Sequence, residues 1–509
     1  MQLTRSLVRA SRISPDKTAL IFHDRRWTWH EHASRVARLA GALRTLGVGP
    51  GDRVAILAHS SDRFIESVFA ILWAGGVLVP LNARATPGDI AGMLDDCDAA
   101  VLLVGADFLP LLPTLRAGAQ KLRHVIALDD GATPTGTIPY ADLITSSDET
   151  PRAETGGDDL AAIFYTGGTT GPAKGVMLSH ANLYANALHG IAQFGGHDER
   201  TVYLHSGPLY HLAAGSRVFT TTILGATHVV IPRFTVEGVL DAIKTHRVTM
   251  TAMVPTMLAM ILSHPAFEHA DLSSLSFLVY GGSPMPEALI VEAMRRLPHV
   301  RFGQGYGMTE LSPACTYLEP RHHSLDPALR HRLRSVGRPA MGVDIRILDE
   351  AGHDRPTGEV GEIAVAGPIV MQGYWKRPDA TREVLRDGVM HTGDLGYLDR
   401  DGFLYIVDRL KDMIVTGGEK VFCIEVEDVM RKHPAVALCA VVGRPHPIWG
   451  EAVHGVVVPR PGASVTADEI VAHCRAHLAG YKVPRSIEFR TAMPLSGANK
   501  ILKTVLRAT

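Results

Sequence analysis

At 509 residues the chain is longer than one hydrophobic core usually organises, so two or more domains are expected. Apolar residues make up 46% of it and charged residues 20%, which excludes a disordered, fibrous or membrane-like chain. Lys plus Arg number 51 against 52 Asp plus Glu, so a nucleic-acid scaffold is disfavoured while a local basic pocket for phosphates stays open.

Near the N-terminus Arg5, Arg9 and Arg12 precede the first acidic residue, Asp16, which mildly imitates a transit peptide, but Leu3, Leu7 and Val8 suit an ordinary first helix. Thr28 and Glu31 have capping-box spacing, and Val36, Leu39, Ala40 and Leu43 then recur at helical period, so a helix is predicted there. Residues 53–57, 77–81 and 100–104 are strand-like runs separated by helix-length segments, and the rhythm continues through 159–165, 248–254 and 276–280. This alternation predicts wound α/β subdomains reaching beyond residue 300. The longest apolar stretch, 68–81, is broken by Gly75 and Gly76 and falls short of the roughly 20 residues of a membrane span. It reads as a helix feeding a buried strand, and no transmembrane segment is expected. From 344 to 408, tight turns such as Asp401-Gly402 predict a small β-rich subdomain. The polar stretch Arg409-Leu-Lys411-Asp412 then marks a boundary. It divides the chain into an N-terminal domain 1–408, a hinge 409–412 and a small mobile α+β domain 413–509. Five cysteines, Cys97, Cys315, Cys423, Cys439 and Cys474, contain no C-x-x-C pair, which favours a reducing, cytoplasmic setting and no zinc site.

The densest chemistry is Tyr165-Thr-Gly-Gly-Thr-Thr-Gly171-Pro-Ala-Lys174-Gly175, expected between a strand and a helix. Thr166, Gly167, Gly168, Thr169, Thr170 and Gly171 offer a backbone cradle and hydroxyl donors for oxyanions, and Lys174 adds a positive charge. Ala173 and Gly175 flank that lysine where a Walker A loop needs other residues, so the loop is of a different kind. A flexible Gly/Thr turn is the competing reading. Ser283 before Pro284 reads as an N-cap and first-turn proline.

The chain also carries Tyr280-Gly-Gly-Ser-Pro284, Gln304-Gly-Tyr-Gly-Met-Thr-Glu310, Ser335-Val-Gly-Arg-Pro339, His391-Thr-Gly-Asp394, Asp408-Arg-Leu-Lys411, Gly417-Gly-Glu419, Tyr481-Lys-Val-Pro484 and Lys500. In this order, almost end to end, it resembles the adenylate-forming family of acyl- and aryl-CoA synthetases, peptide-synthetase adenylation domains and beetle luciferases. The resemblance implies an ATP- and magnesium-dependent ligase that activates a carboxylic acid as an acyl-adenylate and passes the acyl group to coenzyme A. By that resemblance Gly281, Gly282, Ser283, Gly305 and Gly307 line the nucleotide, and Tyr306 stacks on adenine. Thr309 meets the α-phosphate, Glu310 with Thr170 holds magnesium, and Asp394 and Arg409 take the ribose. Lys500 is the catalytic lysine bridging carboxylate and phosphate oxygens. Lys411 becomes the hinge on which the small domain turns, and Gly417 and Gly418 a wall of the pantetheine tunnel. Gly167 and Ala173 stand where Ser and Pro are usual, Asn499 where Gly is usual and Cys423 where Pro is frequent.

His211 resembles a gate beside the acyl and pantetheine channels and is placed with the catalytic group; a core histidine is the competing reading. Trp449, Tyr481, Lys482 and Arg485 match positions that contact the CoA nucleotide in some aryl-CoA ligases, though an exposed basic and aromatic face explains them equally. The acyl pocket falls to His211, Met253, Val279, Gly305 and Met308, apolar or small and without an arginine for a second carboxylate. A fatty or aromatic monocarboxylic acid is therefore expected. A peptide-synthetase module is disfavoured, because 208–211 lacks an acidic partner for an α-ammonium and little chain follows Lys500. A fatty acyl-AMP ligase and a catalytically silent nucleotide-binding module remain as alternatives, with monomer and homodimer both open.

Overall fold

The structure, a computed structural model, describes residues 1–131, 133–166, 173–494 and 501–507. Gly167, Gly168, Thr169, Thr170, Gly171 and Lys500 therefore lie outside the described residues. The chain forms two compact units, residues 1–344 with 366–390, and residues 345–365 with 391–509.

Two wound sheets build the first unit. One has eight strands in the order Gly373–Tyr374, Lys174–Ser179, Leu160–Thr166, Val77–Pro80, Arg53–Leu57, Val101–Val104, His124–Ala127 and Ile138–Pro139. Its middle strands run parallel. Val101–Val104 is apolar throughout and all four residues are buried, as a parallel strand covered on both faces requires. The apolar stretch read as helix then strand is helix Asp62–Ala74 followed by Val77–Pro80. Ser61 caps the helix through Phe64 N–H, and Gly75 ends it at φ +95°, a left-handed conformation suited to glycine. The capping box at Thr28 and Glu31 opens helix Trp29–Thr45 and contributes about 1 kcal/mol. Helix Thr4–Ile13 buries Leu7 completely, and Leu3 just ahead of it is buried too, so it is the ordinary packing helix expected there. Among the described residues no helix is long and apolar enough to cross a membrane.

The second sheet has nine strands in the order Arg338–Pro339, Thr316–Leu318, Arg301–Tyr306, Phe277–Gly281, Met250–Met253, Val202–His205, Thr227–Val230, Thr18–Phe22 and Arg25–Thr28. The six strands from Arg301–Tyr306 to Thr18–Phe22 are parallel and the edges antiparallel. Ligands of such sheets bind beyond the carboxyl ends of the parallel strands. Met253, Gly281 and Tyr306 all sit at such ends. Deep in this sheet His205 Nε2 and His228 Nδ1 lie 2.9 Å apart with rings stacked at 8°, and Thr222 Oγ1 meets His228 Nε2 at 3.1 Å. Burial pushes His205 down to about 3 and His228 well below its ordinary value.

Two local expectations are corrected. The loop after Thr166 joins two strands rather than a strand and a helix, because Lys174–Ser179 pairs antiparallel with Leu160–Thr166 and sets Thr166 opposite Lys174. The helix begins only at His180, where Ser179 and Asn182 form a capping box. Nor is Ser283 an N-cap: the helix Glu287–Arg296 starts after Pro286, and no side chain caps it. Two prolines, at 284 and 286, each lack an N–H and favour extended backbone before them, which delays the helix.

In the second unit, strands Asp344–Leu348, Gly361–Ala366, Val389–Leu398 and Leu404–Arg409 belong to one sheet. The β-rich character of 344–408 is thus present, but 366–390 leaves it, since Gly373–Tyr374 adds to Lys174–Ser179 in the first unit. A further sheet holds Glu419–Val421, Ile414–Thr416, Gly450–Pro459, Val436–His446 and Ser486–Phe489. Helices Cys423–Arg431 and Ala467–Arg475 contribute Val426, Met430, Ile470 and Cys474 to its core.

Candidate active site

In the first unit, the register of Phe277–Gly281 with Arg301–Tyr306 sets Val279 opposite Gly303 and Gly281 opposite Gly305. Position 281 admits no side chain, because a Cβ would lie 2.4 Å from the Gly305 carbonyl oxygen. Gly307 is equally constrained: its φ is +156° and a Cβ would fall 2.2 Å from the Pro313 carbonyl oxygen. Bare backbone therefore runs beside Tyr306, which is half-buried at its strand end. Gly282 follows at φ +78°, turning the chain into the segment that holds Ser283.

Thr309 and Glu310 open a short 3-10 turn directly after Met308, with Thr309 half-buried and Glu310 buried. The Glu310 carbonyl accepts Met371 N–H at 2.9 Å, and its Oε1 accepts the Tyr374 hydroxyl at 2.8 Å. Burial and the adjacent carboxylate push the Tyr374 phenol up, so it stays protonated as the donor. Lys174 places its ammonium 5.0 Å from the centre of the Tyr374 ring. A buried carboxylate is a hard oxygen ligand, so Glu310 fits magnesium. Its expected companion Thr170 lies outside the described residues, with Gly167, Gly168, Thr169 and Gly171 of the same loop.

The acyl-pocket candidates divide between sheet faces. Val279, Gly303 and Gly305 share one face, on which Phe194 packs. Met253 is paired with Tyr280, so it lies on the opposite face, in the core with Met257 and Leu278. The structure does not bring Met253 and Val279 into one wall. His211 is the residue before helix Leu212–Leu224, and its ring lies 4.8 Å from that of Tyr210. The segment ahead of it is tied to the strand ends by Ser206 Oγ to Ala252 O at 3.2 Å and by Leu209 N–H to Ser60 Oγ at 3.1 Å.

In the second unit Asp394 and Arg409 are direct cross-strand partners, 3.2 Å apart. Glu362 braces the strand segment that carries Asp394, accepting Gly393 N–H at 3.1 Å and meeting His391 Nδ1 at 2.9 Å. Lys411 is exposed in the turn between Leu404–Arg409 and Ile414–Thr416, where Asp412 N–H returns to Arg409 O at 2.9 Å. Gly417 and Gly418 turn the following hairpin at φ +60° and +86°. Trp449 covers Gly417 so closely that a Cβ would lie 2.8 Å from its ring, and Arg485 stands 5.2 Å above the Trp449 ring. Gly417, Trp449 and Arg485 therefore form one cluster. Lys482 is instead paired with both Glu425 oxygens at 2.8 Å, while Tyr481 beside it is exposed.

Lys500 lies outside the described residues, but what flanks it is anchored. Leu502 N–H donates to Pro494 O at 2.9 Å. Lys503 pairs with buried Glu427 at 2.7 Å, and Arg507 with Asp412 at 3.0 Å. Burial pushes the nearby Asp408 carboxyl up to about 6, although Arg409 N–H and Cys423 N–H both donate to it.

Sequence reasoning passed over Tyr374, Glu427 and Lys503. The strand of Tyr374 has two residues, too short for any periodicity, and Glu427 and Lys503 lie far apart along the chain.

The sequence matches the AMP-binding enzyme family over residues 7–375 and the AMP-binding enzyme C-terminal domain over residues 425–500. It is 41% identical over 502 residues to a feruloyl-CoA synthase of Amycolatopsis sp, spanning 98% of this chain and 97% of that protein. It is 35% identical over 489 residues to a long-chain-fatty-acid–CoA ligase of Mycobacterium tuberculosis (strain ATCC 25618 / H37Rv), spanning 95% and 93%. The fold matches a crystal structure of an anthranilate CoA ligase with anthranoyl-AMP at a TM-score of 0.92 and 27% identity, covering 100% of this chain and 97% of that one. The sheets, the glycine-lined strand ends and these matches together make the chain a member of the AMP-binding, adenylate-forming enzyme family.

Proposed function

We propose that the protein is an acid–thiol ligase that activates an aromatic monocarboxylic acid as its acyl-adenylate and transfers the acyl group to coenzyme A. In the first step a carboxylate oxygen attacks the α-phosphorus of ATP and diphosphate leaves. In the second the CoA thiol attacks the acyl carbon and AMP leaves. Tyr306 and the bare backbone at Gly281, Gly282, Gly305 and Gly307 would receive the adenine, and Asp394 with Arg409 the ribose hydroxyls. Lys174 and Thr309 would hold phosphate oxygens, and Lys500 would neutralise charge as it shifts from carboxylate to phosphate. Magnesium, when bound through Glu310, would offset the charge of the leaving diphosphate. Gly417, Trp449 and Arg485 would receive CoA, with Gly418 leaving room for pantetheine.

One observation carries the preference for an aromatic acid. Beside Val279 and Gly303 the sheet face is closed by Phe194, whose ring centre lies 5.3 Å from Phe277 and 5.1 Å from Tyr317. A Cβ at Gly303 would already lie 2.7 Å from Phe194. An acyl group seated beside Gly305 would meet these rings as a flat apolar wall, which suits an aromatic ring better than a long chain. The greater identity to the feruloyl-CoA synthase than to the fatty-acid ligase supports the same reading.

The test is a panel of benzoates, hydroxycinnamates, indoleacetate and medium- and long-chain fatty acids with ATP, magnesium and CoA, followed by mass spectrometry of acyl-CoA. Aromatic acids should give the highest kcat/KM; preference for a long-chain acid would refute the aromatic assignment. Lys500→Ala should remove most acid-dependent diphosphate release while still making thioester from supplied acyl-adenylate. Equal loss of both steps would contradict its assigned role.

A further inference from the structure

Tyr374 stands between two groups that the adenylation chemistry uses. Its hydroxyl donates to Glu310 Oε1 at 2.8 Å, and the Lys174 ammonium lies 5.0 Å from its ring centre. The residue is only 7% exposed and is held from two further sides. Its strand pairs with Val176 and Met177, two and three residues beyond Lys174, and its N–H donates to Thr381 Oγ1 at 2.9 Å. The preceding Gly373 has φ +137°, and a Cβ there would lie 2.9 Å from Thr381 Cγ2, so the approach of Thr381 depends on glycine. A phenol fixed in this way cannot turn aside without giving up the contact to the carboxylate.

We propose that Tyr374 is a positioning residue of the ATP half-reaction, setting the Glu310 carboxylate through its hydroxyl and the Lys174 ammonium through its ring. The proposal rests on the reading of Glu310 as the magnesium group and Lys174 as a phosphate group. An ammonium over a phenol ring also withdraws electron density from it, which strengthens the hydroxyl as a donor to Glu310. The two halves are chemically separable. Phenylalanine keeps the ring under Lys174 and removes the donor to Glu310; leucine removes both.

Calorimetric titration of the full-length protein with ATP, once with magnesium and once with a chelator, tests this without turnover. Tyr374→Phe should weaken the magnesium-dependent part of ATP affinity by about tenfold to a hundredfold, as loss of a hydrogen bond behind a metal ligand does elsewhere. It should leave metal-free ATP affinity at the wild-type value. Tyr374→Leu should lower metal-free affinity as well; if that variant fails to fold by circular dichroism, the phenylalanine variant alone carries the test. Diphosphate release at graded free magnesium should show the same displaced midpoint. In a Glu310→Gln background, Tyr374→Phe should add nothing. Wild-type magnesium dependence in Tyr374→Phe, or losses that multiply in the double variant, would overturn the inference. Wild-type protein that binds no ATP would overturn the underlying assignment instead, a distinct result.

Discussion

Glu427 offers a perturbation that the second unit should register strongly. It is 4% exposed, yet it meets Lys503 at 2.7 Å, Arg431 at 2.9 Å and Val441 N–H at 2.9 Å. Burial alone would push its carboxyl up, but Lys503 and Arg431 hold it below the ordinary carboxylate value. Glu427→Ala would leave Lys503 and the Val441 amide without this acceptor, while Arg431 keeps Asp428 at 2.8 Å; a change of this class costs about 3–5 kcal/mol. The side chains of Lys503 and Arg431 keep 18% and 24% exposure, so each recovers some hydration and the lower figure is expected. For a unit of this size about 3 kcal/mol lowers an unfolding midpoint by roughly 10 °C. Glu427→Gln, which keeps an acceptor for Val441 and loses only the charge, should fall between wild type and alanine. Differential scanning calorimetry resolves all three proteins. A shift no larger than that of an exposed ion pair, about 1 kcal/mol or less, would refute the claim that this cluster holds the unit together.

The buried pair His205 and His228 makes stability depend on pH. Both have folded values depressed below the unfolded value of about 6.5, so their contribution is complete above it and falls as pH drops through it. Unfolding free energies from urea titrations should fall by about 1.4 kcal/mol per pH unit for each histidine below that point, and His205→Phe should flatten the dependence; an unchanged slope would refute it. Gly418→Leu should spare acyl-adenylate formation and slow transfer to CoA in single-turnover assays, whereas unchanged transfer would remove this turn from the pantetheine path. Lys411→Pro, which fixes φ near roughly −65°, should form adenylate normally and pass it on slowly; Lys411→Ala should be much milder. A proline variant with both steps at wild-type rates would move the pivot elsewhere.

Where local pattern decides structure, the sequence was legible. The capping box at Thr28 and the glycine stop at Gly75 each act within one or two turns, and both helices lie where they were expected. The strand Lys174–Ser179 stands where a helix is expected after the glycine-rich loop, because pairing with Leu160–Thr166 fixes it and the local cap at Ser179 starts the helix only at His180. Ser283 misled for a related reason: one proline after a serine signals a helix start, but a second at Pro286 postpones it. Which face Met253 and Val279 occupy depends on strand register, set by turns and neighbouring strands rather than by the residues themselves. The contacts of Tyr374 with Glu310, and of Lys503 with Glu427, join segments distant along the chain and leave no periodic trace.

The chain passes between its two compact units three times, at 344–345, 365–366 and 390–391. Three covalent connections join the units, so a large turn of one against the other would have to wind all three. Between Leu404–Arg409 and Ile414–Thr416 there is a single tether, and rotation about one path winds nothing. On the proposed hinge at 409–412, a turn of the small domain would involve only this one connection. Asp394 and Arg409 would keep their mutual pairing through such a turn, while Gly417, Trp449 and Arg485 travelled together. The same count bears on splitting the protein. A break at 409–412 leaves the sheet of Val389–Leu398 and Leu404–Arg409 on one fragment and the sheet of Ile414–Thr416 and Gly450–Pro459 whole on the other. A break at 344–345 would instead cut the chain at the strand Asp344–Leu348 and leave two further tethers intact.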